Sequence, residues 1–302
     1  MEMKKILIGA PTSQRHEYVF DEWYNHCRNF SYPNKDIIVV ETTNDNGAYY
    51  RKLKKYEGLI VLRYKWNPKK ERLMNMLASA REIIRKYCVE HGYDYLFWLD
   101  TDTIPPQDSI ERLMNYDKDQ VGFLVHVYPE PFPQRPAVFH SGFVISGYGL
   151  DYYNWKEIEE WKQNAAKWQT GDANGWKPDD EKFPFLKKVY ASAIGCLLVK
   201  RKVMENTKFV GHPTFVNGED LWYYAWADDK KFEAWCDFSL RATHKNTHWD
   251  KLVVQEMEGK GKFRWNIIQG WDLGTKDVDV LEPKYDKRSV YRDIEKAGFP
   301  RK

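Results

Sequence analysis

Short unbroken apolar runs, separated by segments whose apolar positions recur at a helical spacing, dominate the first third of the chain. Lys5-Ile-Leu-Ile-Gly9, Asp36-Ile-Ile-Val-Val-Glu41, Gly58-Leu-Ile-Val-Leu62 and Tyr95-Leu-Phe-Trp-Leu99 read as buried strands, and Tyr18 to Phe30 as a helix. The strongest helical signal follows Asn67, which can cap it, and Pro68, which suits its first position. Leu73, Met76, Leu77, Ala80, Ile83, Ile84, Tyr87 and Cys88 share its apolar face before Gly92 ends it. Continuous apolar strands between helices predict an α/β fold with a mainly parallel sheet covered on both faces.

From about Gly122 the texture changes. Val121 to Val127 is apolar, Tyr128 to Pro136 carries four prolines and reads as loop, and Phe139 to Ile145 reads as another strand. Tyr148 to Lys188 is an aromatic, charged, partly helical excursion with an irregular centre at Thr170 to Pro178. A strand over Val189 to Lys200, a helix over Gly218 to Asp228 and a strand over Phe232 to Ala242 complete the pattern. In that last strand Phe232, Ala234, Cys236, Phe238, Leu240 and Ala242 fall on one face, and Glu233, Asp237, Ser239 and Arg241 on the other. The expected parts are residues 1–120, 121–248 with the excursion at about 148–188, and 249–302 as an extension packed over the body.

Composition narrows the functions. With 42% hydrophobic residues among 302, the chain can build a sizeable core, and disorder is excluded as a description of the whole. A net charge of +3 gives no global field for a polyanion. The clusters Lys52 to Lys55 and Lys69 to Arg72 read as solvated helix or a phosphate rim, so nucleic acid is not an expected partner. Cys27, Cys88, Cys196 and Cys236 are dispersed, against a zinc ribbon or disulfide scaffold and in keeping with a reducing compartment. The apolar run before Pro11 is short for a signal peptide, and Val189 to Val199 is far below the roughly 20 residues that span a bilayer. A cytoplasmic setting is expected, with peripheral docking at the cytoplasmic membrane surface left open. Aromatic side chains make up 16% of the residues, which suits stacking on sugars or bases as well as core packing.

Three local patterns carry chemistry. Asp100-Thr101-Asp102 directly follows an apolar strand. In extended geometry residues two apart point the same way, roughly 6 to 7 Å apart, so both carboxylates would face one site and could share a hard divalent ion. The carboxyl edge of an open α/β sheet is where such folds bind ligands. Gly218-Glu219-Asp220 precedes the aromatic run Leu221 to Trp226, where an acid also favours a helix start by about 0.3 to 1 kcal/mol. Arg241-Ala-Thr-His244 ends the last strand, with His248 just beyond.

In this order, over roughly residues 3–248, the sequence resembles the nucleotide-sugar-dependent glycosyltransferases of the GT-A fold, especially glycosyltransferase family 2 and its relatives. The resemblance implies a Rossmann-like sheet whose first part, 1–120, binds a nucleoside-diphosphate sugar, while 121–248 supplies the metal and acceptor side with an antiparallel portion. Asp102 is then a direct ligand of Mn²⁺ or Mg²⁺. Asp100 touches the ribose or ion-bound water and contributes to coordination, with Thr101 between them in the donor site. His244 completes the metal site, with His248 as the fallback. Ala10-Pro11-Thr12 matches the turn after the first strand that closes over base and ribose, and Glu41 sits near the base. Arg72 and Asn75 resemble polar residues facing the nucleotide. Gly195-Cys196 matches the small-residue strand beside the acceptor.

Inverting members use an acid at the Gly218-Glu219-Asp220 position as general base. Asp220 is the preferred base and Glu219 a sugar or acceptor hydrogen-bonding group, with the roles exchangeable. The implied reaction is transfer to the hydroxyl of a glycan, glycolipid head group, peptide or small molecule, with inversion, a retaining outcome staying open. The sequence departs from the family in having Glu41-Thr-Thr-Asn-Asp45 where an Asp-Asn-Gly-Ser series is usual.

Two rival readings stand beside it. Phe97-Trp-Leu-Asp100-Thr-Asp102-Thr103 also fits a haloacid-dehalogenase-like phosphatase or phosphotransferase, with Asp100 as nucleophile, Asp102 as acid/base and Asp228-Asp229 as late metal acids. That motif normally follows a first strand, whereas several strand-helix units precede it here. A sugar-nucleotide or glycan-binding module without turnover is the other.

Overall fold

A computed structural model of the protein describes residues 3–43, 45–67, 73–125, 138–139, 155–210 and 219–245. Its first part alternates as the apolar runs predict: β1 (Ile6–Thr12), α1 (Glu17–Arg28), β2 (Lys35–Glu41), α2 (Ala48–Leu53), β3 (Leu59–Arg63), α3 (Leu73–Glu90) and β4 (Tyr95–Leu99). A two-residue strand β5 (Thr103–Ile104) and α4 (Ser109–Asn115) lead to β6 (Gln120–Leu124). There follow β7 (Val138–Phe139), α5 (Trp155–Thr170), β8 (Leu186–Val189), β9 (Ala191–Ser192), β10 (Cys196–Lys200), α6 (Arg201–Asn206), α7 (Glu219–Asp229), β11 (Ala234–Arg241) and β12 (Thr243–His244).

Eight strands form one sheet in the order β3-β2-β1-β4-β10-β6-β11-β8. β1 runs parallel to β2 and β4, and β2 to β3. β10 enters antiparallel between β4 and β6, while β11 lies parallel to β6 and antiparallel to β8. The expected mainly parallel sheet with an antiparallel portion is therefore present.

Strand alternation divides the core into two layers. On one face Ile6, Ile8 and Ala10 pack with Phe20, Trp23 and Cys27 of α1 and Ile110 and Leu113 of α4. On the other, Leu7, Ile38 and Leu96 pack with Ala80, Ile84 and Cys88 of α3, Met204 of α6, and Tyr223 and Tyr224 of α7. Burial of such side chains contributes roughly 1.5 to 3 kcal/mol each. Because α3 and α7 share a face of the sheet, polar groups of the two helices can meet at its carboxyl edge. All four cysteines are buried free thiols. Among the described residues no helix is long and apolar enough to cross a membrane.

Three expectations change. The single strand over Val189 to Lys200 is broken: β8 ends at Val189, and a turn at Ile194–Gly195 separates β9 from β10. Ala10, Pro11 and Thr12 are the last residues of β1, in register with Val39, Val40 and Glu41, so the turn begins only at Ser13. Asp237 of β11 is buried beneath Tyr116, at the end of α4. Its carboxylate is satisfied there by the Tyr116 hydroxyl at 2.6 Å and by the Ser239 amide at 2.7 Å. Asp100 to Asp102 do not extend β4 but turn, the Thr103 amide donating to the Asp100 carbonyl at 2.9 Å. The start of the long helix at Pro68, all of the strand expected at Phe139 to Ile145 beyond Phe139, and the extension 249–302 lie outside the described residues.

The insertion of β10 imposes a tight contact. A Cβ on Gly122 of β6 would lie 2.6 Å from the Cys196 carbonyl oxygen, a backbone atom held in the sheet. Gly122→Ala should therefore destabilise the protein by about 1 to 3 kcal/mol in urea denaturation. An unchanged midpoint and slope would show that the two strands separate freely.

Candidate functional site

Turns that follow β1, β4 and β11 meet at Asp102. Its side chain is only 9% exposed, and its Oδ2 faces Nε2 of His244 at 3.3 Å and Nε2 of His16 at 3.8 Å. Burial acts to raise the carboxyl's pKa, but His244 and then His16 outweigh it and bring it down to about 2. His244 is held by backbone pairing: β12 lies antiparallel on β5, with His244 opposite Thr103. The next residue fastens the strand, since the Lys245 amide donates to the Asp102 carbonyl at 2.6 Å and the Tyr18 hydroxyl donates to the Lys245 carbonyl. The Lys245 ammonium pairs with Glu22 of α1 at 2.9 Å. His16 ends a single 3-10 turn, Gln14–His16, directly before α1. The Gln14 amide donates to the Thr43 hydroxyl at 2.8 Å, and the Thr42 amide to the Thr12 carbonyl at 3.0 Å, so the turns after β1 and β2 are tied together.

Asp100 takes a different partner. Its amide donates to the Gly195 carbonyl at 3.1 Å, and its Oδ1 accepts from Nη2 of Arg81 at 2.9 Å. Arg81, on α3 and 7% exposed, also donates from Nε to Oε1 of Glu219 at 2.8 Å. Burial disfavours the guanidinium charge, but the two carboxylates more than offset it and strengthen its hold on the proton. Its guanidinium carbon lies 5.4 Å from the Trp98 ring centroid, within cation-π range. Gly195 has no side chain to spare here, for a Cβ would stand 2.7 Å from Oδ2 of Asp100. The missing side chain makes room for Asp100.

The structure thus gathers Asp100, Asp102, Gly195, Glu219 and His244, but divides the two acids between different partners, a guanidinium and a pair of imidazoles, instead of aiming both at one point. Asp220 is half-buried, next to Glu219 in the first turn of α7. Thr101 is buried and its hydroxyl makes no hydrogen bond. Asn75 is half-buried on α3, with a buried side-chain oxygen that has no hydrogen-bond partner. Glu41 is fully buried and occupied by Arg63 at 3.1 Å and by the Thr43 amide. Arg72, Gly218 and His248 lie outside the described residues. Among the described residues no group of three or more His, Cys, Asp or Glu side chains is arranged to hold a metal ion.

Two neighbours of these acids went unread in the sequence. Arg81 follows Leu77 by four positions and precedes Ile84 by three, so a charge stands inside an apolar helical stripe; that is a legible signal for a buried ion pair. His16 carries no such signal, because only closure of distant turns brings it to Asp102. In the aromatic excursion, Trp161 packs against Trp176 with centroids 4.9 Å apart and against Phe238 of β11 at 6.4 Å. The Lys187 ammonium lies 4.0 Å from the Trp161 centroid, so these two tryptophans are engaged in packing.

No protein-family model matches the sequence, and no curated protein sequence matches it. Solved structures match in fold. GalNAc-T7, in a crystal structure with UDP, GalNAc and Mn²⁺, aligns with a TM-score of 0.53 and 12% identity over 80% of this chain. The match spans 44% of that GalNAc-T7 chain, less than half its length. TarS 1–349 of S. aureus aligns with a TM-score of 0.45 and 11% identity over 84% of this chain and 65% of that one. A197 from STIV aligns with a TM-score of 0.37 and 16% identity over 80% of this chain and 85% of that one. The chain has a GT-A-like fold, distantly similar to that of known sugar transferases.

The buried Asp102 makes stability depend on acidity. Its folded pKa of about 2 lies below the ordinary value near 3.8, so its contribution is complete above about pH 5 and is lost as pH falls through the folded value. That difference is worth about 2 kcal/mol. In Asp102→Asn, the free energy of unfolding should fall less steeply than in the parent between about pH 5 and pH 2. Parallel pH profiles would contradict an ionised buried Asp102.

Proposed function

We propose that the protein is a metal-assisted glycosyltransferase that moves a sugar from a nucleoside-diphosphate sugar to an acceptor hydroxyl with inversion. The observation that carries this reading is a buried, ionised Asp102 facing His244 at the carboxyl edge of a GT-A-like sheet. The fold likeness to GalNAc-T7, solved with UDP and Mn²⁺, supports it.

The donor chemistry of these two residues fits a divalent ion. A carboxylate oxygen and an imidazole nitrogen suit Mn²⁺, and Mg²⁺ less well because it prefers oxygen. Asp102 and His244 would hold the ion, and diphosphate oxygens and water would fill the other positions. Once bound, the ion would supply neutralisation of the charge that grows on the leaving diphosphate.

The rest falls to the protein's own groups. Asp220 orients the acceptor hydroxyl and removes its proton. Glu219 is the poorer candidate, because its Oε1 already accepts from the permanently charged Arg81. The N-terminus of α7 favours carboxylate charge and so weakens the base, while partial burial acts in the opposite direction. Asp100, fixed between Arg81 and Gly195, shapes the donor side of the cleft. His16 places a second imidazole beside Asp102. The acceptor class remains a glycan, lipid head group, peptide or small molecule, and the four buried thiols support a reducing, cytoplasmic setting.

The phosphatase reading loses support from helix geometry. Asp228 follows Glu219 by nine residues on α7, about 13 Å along the axis, so its late metal acids stand at the opposite end of the helix from the site.

Titration calorimetry with UDP tests the donor site. Affinity should rise strongly with Mn²⁺ in the parent protein, and that gain should vanish in Asp102→Asn and in His244→Ala. In single-turnover assays with a panel of UDP-sugars, Asp220→Asn should keep donor affinity and lose about 10²- to 10⁴-fold in the transfer step. Full transfer in Asp220→Asn would remove it as base, and UDP binding indifferent to Mn²⁺ would remove the metal site. Binding without turnover would favour the non-catalytic module.

A further inference from the structure

Two arginines of α3 are buried one turn apart, and they do different work. Arg85 donates to Glu82 on its own helix and to the Met204 carbonyl, tying α3 to α6. Arg81 instead joins two acids that come from opposite sides of the site: Asp100 from the turn after β4, and Glu219 from the first turn of α7. Its remaining nitrogen, Nη1, is buried and makes no hydrogen bond. A buried guanidinium nitrogen left without an acceptor is costly, so the two carboxylates that Arg81 does hold matter all the more.

An apolar bridge runs beside the polar one. Trp98, two residues before Asp100, meets Phe209 edge to face at 5.1 Å, and Phe209 stacks on Tyr223 of α7 at 4.8 Å. The turn carrying Asp100 and the helix carrying Glu219 and Asp220 are thus coupled through side chains, although about 120 residues of sequence separate them.

We infer that Arg81 is a positioning residue that couples the donor and acceptor sides of the site, holding Asp100 and Glu219 in one guanidinium fork. The inference rests on the proposed transferase function and adds to it a residue that resemblance did not supply. Arg81 is suited to this where lysine is not, since its planar donors engage two carboxylates at fixed angles. Gly195 is the complementary part: it seats Asp100 against backbone, leaving Oδ1 for Arg81.

A double-mutant cycle on the full chain tests the coupling, read as UDP affinity in the presence of Mn²⁺. Glu219→Gln alters a residue on the acceptor side, yet it should weaken UDP binding roughly 3-fold or more, the size expected of coupled contacts. In an Arg81→Met background the same Glu219→Gln change should have no further effect. Arg81→Lys keeps the charge and serves if Arg81→Met does not fold; it should lose the coupling while retaining the parent's melting temperature to within a few degrees. Gly195→Ala, which displaces Asp100, should weaken UDP binding in the parent and not in Arg81→Lys. A purely structural arginine would shift the melting temperature and leave the affinity effects additive, and additivity in a parent that binds UDP with Mn²⁺ would overturn the role of Arg81 alone. A parent that shows no Mn²⁺-dependent UDP binding would overturn the proposed function and this coupling with it.

Discussion

The site depends on the antiparallel insertion of β10 between β4 and β6. Cys196 pairs with Leu99 at the carboxyl end of β4, which brings the preceding Gly195 carbonyl against the Asp100 amide. That contact ends the strand and starts the turn. Had a parallel strand occupied this place, its own carboxyl end would lie there in place of the turn that introduces β10. Asp100 would then lack its backbone seat, and the sequence Asp-Thr-Asp would present both acids differently.

The turn converts two similar acids into two electrostatic environments. Asp100, 36% exposed, shares a guanidinium with Glu219, a network of two carboxylates around one permanent cation. Asp102 is nearly enclosed and meets imidazoles, whose charge depends on pH and on what they bind. A group that remains ionised in so little water is strongly stabilised by an incoming cation, since removing it from solvent has already weakened competition from hydration. The asymmetry therefore separates a carboxylate committed to a permanent cation from one whose partners change charge with pH.

How far this was legible in the sequence follows from the range of each interaction. The strands of the first part announce themselves because both faces are buried, as in Ile6-Leu-Ile8, and α3 ends where expected, at Gly92 with φ 74°. Asp102, His244 and Glu219 could be singled out because each ends or begins an apolar element. Partnership could not. A charge inside an apolar stripe marks Arg81 as paired without saying with what, and nothing local distinguishes His16 from any turn histidine. The break before β10 was hidden for a similar reason: Ala191-Ser-Ala-Ile-Gly195 is as apolar as a strand, and the contact its turn makes, with the Asp100 carboxylate beside Gly195, comes from far along the chain.

The same reasoning separates the two acids at the start of α7 on physical grounds. Adjacent helical residues point about 100° apart, so only one of them can face α3 while the other faces elsewhere. Glu219 takes the inward direction, and its partner there is a charged guanidinium that also binds Asp100. Withdrawing Glu219 for chemistry would leave Arg81 with a single acid and strand a buried charge, a cost of several kcal/mol that general-base catalysis could not easily recover. The arrangement separates the pair by connectivity: Glu219, tied through Arg81 to the turn after β4, maintains geometry and is poorly placed to give up its charge.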